Sequence, residues 1–242
     1  MTGLYTLTSP LHDEAAVNAA SASFVSEIEE ALGWKFEYHG QDFSTYGSEE
    51  LSLIYVRTGG TEGLFQEVFD NLDGPILLLT SGKSNSLAAS MEILSFLNQQ
   101  GRSGEIIHGS VSYIAERIKV LAQVAKARKA LRGSRLGVIG KPSDWLISST
   151  PDASALYEKL GIELVDVPIS ELVDEYHLTD FGQGSEVADK ARAEFESHAP
   201  AALHKYSEGA FKIYCALKAL IKRYELNGLT LRCFDLLDSL GN

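Results

Sequence analysis

Residues 75–86 limit the folds open to this chain more than any other stretch. The first six, Pro-Ile-Leu-Leu-Leu-Thr, form an unbroken apolar run that is typical of a strand buried on both faces. The next six, Ser-Gly-Lys-Ser-Asn-Ser, form a small polar loop before a segment with helical spacing of apolar residues. This order predicts a parallel sheet covered by helices, with ligands bound at the carboxyl ends of the strands.

The loop of this stretch is not a phosphate-binding P-loop. Its Gly-Lys-Ser run, residues 82–84, matches the second half of that motif, whose first glycine would stand at position 77. Leu77 occupies that position, so the loop cannot form the glycine-rich nest that wraps a triphosphate. We interpret it as a helix start with Ser84, Asn85 or Ser86 as N-cap, whose backbone N–H groups can hold an anion or a sugar hydroxyl.

The same alternation of strand and helix runs through the whole chain. Predicted strands at residues 4–8, 34–39, 51–57, 75–80 and 105–108 indicate a flavodoxin-like lobe over residues 1–132. Further strands from residue 135, at 162–167 and at 229–237 indicate a second lobe over residues 133–242. The predicted fold class is therefore α/β, with two flavodoxin-like (Rossmann-like) lobes and mostly parallel sheets.

The final predicted strand, residues 229–237, contains a charged pair. In a strand, Arg232 and Asp235 stand three apart and point to opposite faces, so we expect no ion pair between them. No helix is predicted after this strand, which would leave one face of the sheet poorly covered. We therefore expect the second lobe to be incomplete, with a segment that continues beyond Asn242.

Composition and charge exclude several classes of partner. The net charge of −12, from 33 acidic and 21 basic residues, repels nucleic acid and anionic lipid, so neither is expected as a partner. No apolar run approaches the roughly 20 residues that cross a bilayer, and no basic leader opens the chain. Cys215 and Cys233 have neither the number nor the spacing of a disulfide framework or zinc site. A cytoplasmic location is expected.

Three stretches carry a resemblance to a known family. They are Val-Ile-Gly-Lys-Pro-Ser-Asp-Trp-Leu at residues 138–146, Lys-Ile-Tyr-Cys-Ala-Leu-Lys at 212–218 and Leu-Arg-Cys-Phe-Asp-Leu-Leu at 231–237. Together they resemble the sugar isomerases related to L-fucose and L-arabinose isomerase, specifically the shorter fucose isomerase-like proteins. That resemblance implies flavodoxin-like lobes ahead of a catalytic carboxy-terminal domain, and it implies a homo-oligomer in which one subunit's lobes approach a neighbour's site.

The chemistry of that family needs a metal that this chain does not supply. Interconverting an aldose and a ketose moves a proton between adjacent carbons, which requires a base and a cation that polarises the two oxygens. The resemblance implies Mn²⁺ held by residues beyond Asn242, and no cofactor or metal ligand is assigned within this chain. The chain is therefore expected to bind substrate and to lack isomerase turnover by itself.

The predicted substrate-binding residues lie on loops at strand ends, and no catalytic residue is assigned. Asp144 and Trp145 are favoured, because an aromatic ring stacks on the apolar face of a sugar while a carboxylate accepts hydroxyl hydrogen bonds. Glu62 is interpreted as a helix-dipole residue and His108 as a structural hydrogen-bonding residue. The full predicted set is Gly60, Thr61, Ser81, Asn85, Lys141, Asp144, Trp145, Arg232 and Asp235.

Two alternatives stay open at the level of sequence. A non-catalytic sugar-binding or regulatory module would use the same kind of crevice, and independence of metal would distinguish it from an isomerase. An assembly partner would dock through the apolar face of the predicted helix 201–224, and its oligomerisation would depend on concentration.

Overall fold

A computed structural model describes residues 1–148, 152–179, 186–198 and 200–240. The chain divides into two compact units, Met1–Lys129 and Ala130–Asn242. Each unit contains one sheet whose neighbouring strands run parallel, flanked by helices. The predicted α/β fold class with parallel sheets is confirmed.

The first unit has a five-stranded sheet in the order β2-β1-β3-β4-β5, which is the flavodoxin-like strand order. A short 3₁₀ segment, Phe69–Asn71, precedes the fourth strand. The elements are β1 Thr2–Leu7, α1 Glu14–Leu32, β2 Glu37–Gly40, β3 Leu51–Val56, α2 Glu62–Val68, β4 Ile76–Leu79, α3 Ser86–Gln99, β5 Gly104–Ile107 and α4 Val111–Leu131.

Strand β4 is buried on both faces, as its unbroken apolar sequence predicts. Ile76 and Leu78 pack into one apolar cluster, while Leu77 and Leu79 pack into the cluster on the other side of the sheet. All four side chains are buried. The parallel sheet is therefore covered from both sides, and its chemistry is confined to strand ends and loops.

The ends of the helices follow local sequence signals in one case and depart from them in another. Helix α1 begins after Asp13, whose carboxylate accepts the Ala16 N–H at 2.7 Å, and ends at Gly33 in the left-handed region. Helix α3 begins after Asn85, which has φ of +58° and no side-chain capping hydrogen bond. The capping bond predicted for this loop is therefore not formed by its N-cap residue.

The second unit has a three-stranded parallel sheet in the order β7-β6-β8. The predicted helix 201–224 is a 3₁₀ segment, Ala201–Tyr206, followed by an α-helix. The sequence of residues 178–185, which contains Gly182 and Gly184, favours a loop, and its residues 180–185 lie outside the described residues. The elements are β6 Arg135–Ile139, α5 Ala153–Leu160, β7 Glu163–Val167, α6 Ile169–Leu178, α7 Glu186–His198, α8 Ser207–Arg223, β8 Gly228–Leu231 and α9 Cys233–Leu240.

The predicted strand 229–237 is wrong beyond its first half. Strand β8 ends at Leu231, and α9 begins two residues later. Leu236 and Leu240, four residues apart, both pack into the core of this unit, so helical periodicity prevails over the apparent alternation. A helix therefore follows the last strand, and the prediction that none does is wrong.

No helix within residues 1–148, 152–179, 186–198 and 200–240 is both long and apolar enough to cross a membrane.

Candidate functional site

The carboxyl edge of the first sheet has its topological switch point between β1 and β3, because β2 lies on one side of β1 and β3 on the other. The loops after these two strands meet there. The Ser9 N–H donates to Oγ1 of Thr58 at 3.0 Å. A Cβ on Gly60 would lie 3.2 Å from Oγ of Ser9, so glycine lets the two loops approach closely. This switch point is where open parallel sheets bind ligands.

The loop after β3 also contacts the loop after β4. The Gly59 N–H donates to the Ser84 carbonyl at 2.8 Å, and a Cβ on Gly59 would lie 3.0 Å from Cβ of Asn85. Ser81 is half-buried at the end of β4, where its hydroxyl accepts the Lys83 N–H. The structure thus places the predicted residues Gly60, Ser81 and Asn85 on neighbouring loops.

Thr61 and His108 have structural roles at this edge. Thr61 is fully buried, and its hydroxyl donates to the Thr58 carbonyl at 3.1 Å, which holds the turn. His108 Nδ1 lies 3.1 Å from the carbonyl oxygen of Thr80, which makes Nδ1 the donor. The imidazole lies over Gly82, where a Cβ would come within 2.7 Å of the ring.

In the second unit, the predicted residues around Arg232 form a charged cluster. Arg232 Nε lies 2.8 Å from Oδ2 of Asp235, and its Nη2 donates to Oδ2 of Asp144 at 3.3 Å. The first contact is an ion pair without hydrogen-bond alignment, because Nε has no partner in hydrogen-bond geometry. The prediction that Arg232 and Asp235 do not pair is wrong, since a helical turn brings the two positions together.

The electrostatics of this cluster keep the guanidinium charged. Asp235 and then Asp144 raise the pKa of Arg232, while partial burial lowers it. The Arg232 side chain is 17% exposed, whereas those of Asp144 and Asp235 are 88% and 37% exposed. The arginine is therefore the anchored centre of the cluster, and the two carboxylates present oxygen atoms to solvent.

An exposed aromatic pair belongs to the same two segments. The rings of Trp145 and Phe234 meet edge to face with centroids 6.1 Å apart, and each residue is 62% exposed. Trp145 follows Asp144 directly, Phe234 precedes Asp235 directly, and Lys141 is exposed on the loop of Trp145. Aromatic rings and charged oxygen atoms therefore share the carboxyl ends of β6 and β8.

Gly140 allows the two segments to meet. It has φ of +77°, and a Cβ added to it would lie 2.9 Å from Cβ of Arg232. Backbone bonds fix both sides of this approach, since the Gly140 N–H donates to the Val167 carbonyl and the Arg232 N–H to that of Ile139. The second unit therefore brings together four of its predicted site residues, Asp144, Trp145, Arg232 and Asp235, while Lys141 lies on the same loop as Asp144 and Trp145.

Sequence reasoning missed a separate group at the edge of the first sheet. Among the described residues, Glu37, His39 and Glu49 form a group that could hold a metal ion, because their ligand-type atoms all lie within 4.8 Å of one another. Glu37 and His39 share one face of β2, because strand side chains alternate. Glu49 lies ten residues beyond His39, so only the alternation of Glu37 and His39 offered a signal.

This group does not fit the metal centre that the isomerase resemblance implies. Strand β2, which carries Glu37 and His39, pairs with Gly3 to Tyr5 in the first part of β1. The group therefore does not lie at the carboxyl edge of the sheet. The Glu49 side chain is 4% exposed, accepts from Tyr5 Oη and Ser52 Oγ at 3.1 and 3.0 Å, and lies 2.7 Å from His39. Its oxygen atoms are already satisfied by the protein.

The hydrogen bonds to Glu49 decide its protonation. Burial raises the pKa of this carboxyl, but hydrogen bonds from its own backbone N–H, Ser52 and Tyr5 outweigh burial and lower the pKa below its ordinary value. The ring of Tyr5 also stacks on that of His39 at a centroid distance of 4.6 Å. The group therefore fastens residues 37–49 to the sheet.

Comparison of the chain with models of protein families gives no match, and no curated protein matches it.

Proposed function

We propose that this chain binds a monosaccharide at the carboxyl ends of β6 and β8. The observation that carries the proposal is the convergence of the Trp145 and Phe234 rings with the charged trio Asp144, Arg232 and Asp235. Sugars present apolar C–H faces and a rim of hydroxyl groups, and this surface offers a partner for each.

The parts of this surface have distinct tasks in sugar binding. The exposed ring of Trp145 supplies the stacking platform for the C–H face of a pyranose or furanose ring. The carboxylate oxygens of Asp144 and Asp235 accept hydrogen bonds from vicinal hydroxyl groups, and Arg232 holds both acids in place. No net charge on the ligand is needed, since one cation lies between two acids.

We further propose that the chain is the sugar-binding part of an aldose–ketose isomerase-like protein. The support is the resemblance of residues 138–146, 212–218 and 231–237 to fucose isomerase-like proteins. The first and the last of these stretches supply the aromatic and charged side chains of the surface. The alternative is a sugar-binding or regulatory module without catalysis, which the same surface would serve.

Calorimetric titration of the purified chain with pentoses and 6-deoxyhexoses tests the binding proposal. We expect saturable binding of at least one sugar, and a loss of roughly tenfold in affinity for Trp145→Ala from lost stacking. Tyr157→Ala is the matched control, because Tyr157 is an exposed aromatic residue of the same unit on α5. Unchanged affinity in Trp145→Ala, or equal losses in both variants, would overturn the proposal.

Assays of aldose-to-ketose conversion by this chain, with and without Mn²⁺, test whether it holds a complete catalytic site. We expect sugar binding without conversion, because no residue of the chain is assigned as base or metal ligand, whereas conversion that depends on Mn²⁺ would contradict that expectation.

A further inference from the structure

The first unit contains a cavity of about 500 Å³ that the proposed sugar surface does not use. It lies against α1, between that helix and the strands β1 and β2, and it is lined mainly by polar side chains. Arg57, directly after β3, lines it with a side chain only 3% exposed. A buried guanidinium beside a polar cavity of ligand size needs a chemical explanation.

The hydrogen bonds of Arg57 occupy part of its donor capacity. Nε donates to the Thr8 hydroxyl at 2.6 Å, Nη1 donates to the Asn18 side chain, and Nη2 donates to Glu14 at 3.5 Å. A guanidinium carries five N–H donors, so the hydrogen bonds within the described residues leave two N–H groups over. One of these belongs to each terminal nitrogen, so the guanidinium retains two donors for the two oxygen atoms of an anion.

The charge of Arg57 is poorly balanced by the protein. Thr8 and Asn18 are neutral, and the acid nearest to the guanidinium, Glu14, is 62% exposed and at the limit of hydrogen-bond distance. Burial of a cation is costly unless an anion pairs with it in good geometry. An anion in the cavity would supply that pairing, and the exposed Glu14 side chain can move aside.

The second acid of the cavity does not compete for Arg57. Glu29 accepts the Lys35 ammonium at 2.7 Å and the Phe36 backbone N–H at 2.9 Å, so its charge is already balanced. Tyr38 also lines the cavity, and burial raises the pKa of its phenol, an effect that the charge of Arg57 opposes and that of Glu29 reinforces. Its hydroxyl therefore stays a donor at neutral pH.

We propose that this cavity binds a small polyhydroxylated anion, whose carboxylate or phosphate pairs with Arg57. Hydroxyl groups of the ligand bond to Tyr38, Thr6 and Ser26, all of which line the cavity. Sugar acids and sugar phosphates share this chemistry. The proposal does not depend on the sugar surface of the second unit, since every residue that it uses lies within Met1–Lys129.

Calorimetric titrations at low ionic strength with D-gluconate, D-glucose 6-phosphate, inorganic phosphate and D-glucose test the charge requirement. We expect gluconate or glucose 6-phosphate to bind at least tenfold more tightly than glucose, because a charge-assisted bidentate bond forms only with an anion. Tighter binding of gluconate points to a sugar acid, and tighter binding of the phosphate ester points to a sugar phosphate. Equal affinities for glucose and both anions, or binding of neither anion, would overturn the proposal.

Two substitutions on one helix locate the site without altering Arg57. Ser26→Trp places an indole in the cavity and is expected to weaken anion binding at least tenfold. Ser23→Trp is the matched control, since Ser23 is an exposed serine of the same helix outside the cavity lining. Circular dichroism checks that both variants fold.

Backbone amide shifts of the unaltered chain provide a test that does not depend on either variant. Titration with the tighter anion should shift the amides of Asn18, Gly40 and Arg57 first. Wild-type affinity in Ser26→Trp, or shifts confined to Ala130–Asn242, would place the anion elsewhere and contradict the proposal.

Discussion

The two parallel sheets of this chain are buried to different degrees. In the first unit every residue of β1 and β4 is buried, and two apolar clusters of fourteen and twelve buried residues cover the two faces. In the second unit β6 has only Gly137 and Ile139 buried, and the described residues form one cluster of six. The first sheet is thus a stable frame, whereas the second carries its exposed polar cluster on a thinner core.

Core truncations should show this difference most strongly. Leu78→Ala in β4 removes a fully buried side chain and should cost roughly 3–5 kcal/mol of unfolding free energy. Leu136→Ala in β6 removes a half-buried side chain and should cost about 1–2 kcal/mol, because less apolar area is lost. Hydrogen exchange of the amides in each strand measures the two costs separately. Equal costs would show that the sheets are equally well packed.

Glycine at position 140 links the smaller core to its polar cluster. Gly140→Ala should cost about 2–3 kcal/mol, because it combines a left-handed backbone with a 2.9 Å approach to Arg232. Gly133→Ala is the matched control, since Gly133 has φ of +78° with no atom within 4 Å, and it should cost only about 1 kcal/mol. Urea unfolding measures both. Similar losses of unfolding free energy in the two variants would show that the close approach of Gly140 to Arg232 does not contribute to stability.

A buried carboxylate gives the first unit its own pH dependence. Glu49→Gln should lower the unfolding free energy by roughly 1–2 kcal/mol at neutral pH, because the hydrogen bonds to this charged group weaken. The folded pKa of Glu49 lies below the ordinary 4.5, so the difference from wild type should persist above that pH and vanish as pH falls through the folded pKa. Urea unfolding across this range measures it.

The exposed Glu27 provides the control for that pH series. Glu27→Gln removes a charge from the same unit without removing a buried hydrogen bond, and its effect on stability should be small at every pH. If the difference in unfolding free energy between Glu49→Gln and wild type grew toward acid pH, it would contradict the lowered pKa of Glu49.

The sequence predicted the first unit better than the second, and the reason is burial. Unbroken apolar strands such as residues 75–80 and strong end signals such as Gly33 have one physical interpretation. The half-buried segment 229–237 has two, because its apolar residues fit both a strand and a helix that buries Leu236. Only packing against the rest of the unit decides between them.

The residues of the candidate sites also differ in whether the sequence alone could predict them. Asp144 and Trp145 were predictable, since an acid beside an aromatic residue on a strand-end loop is a local pattern. The ion pair of Arg232 and Asp235 was missed because it depends on the helix that sequence reasoning did not assign. Arg57 was missed because its partner Thr8 lies 49 residues away, and no local motif reports such a contact.

Tryptophan fluorescence tests the central proposal of a sugar surface most directly, because the chain has two tryptophans and only one lies on that surface. In Trp34→Phe the remaining reporter is Trp145, which is 62% exposed, and in Trp145→Phe it is Trp34 in the first unit. We expect monosaccharide to shift the Trp145 emission to shorter wavelength in a saturable manner and to leave Trp34 unchanged. A saturable response of Trp34 alone, or no response of Trp145 to any pentose or 6-deoxyhexose, would contradict sugar binding at this surface.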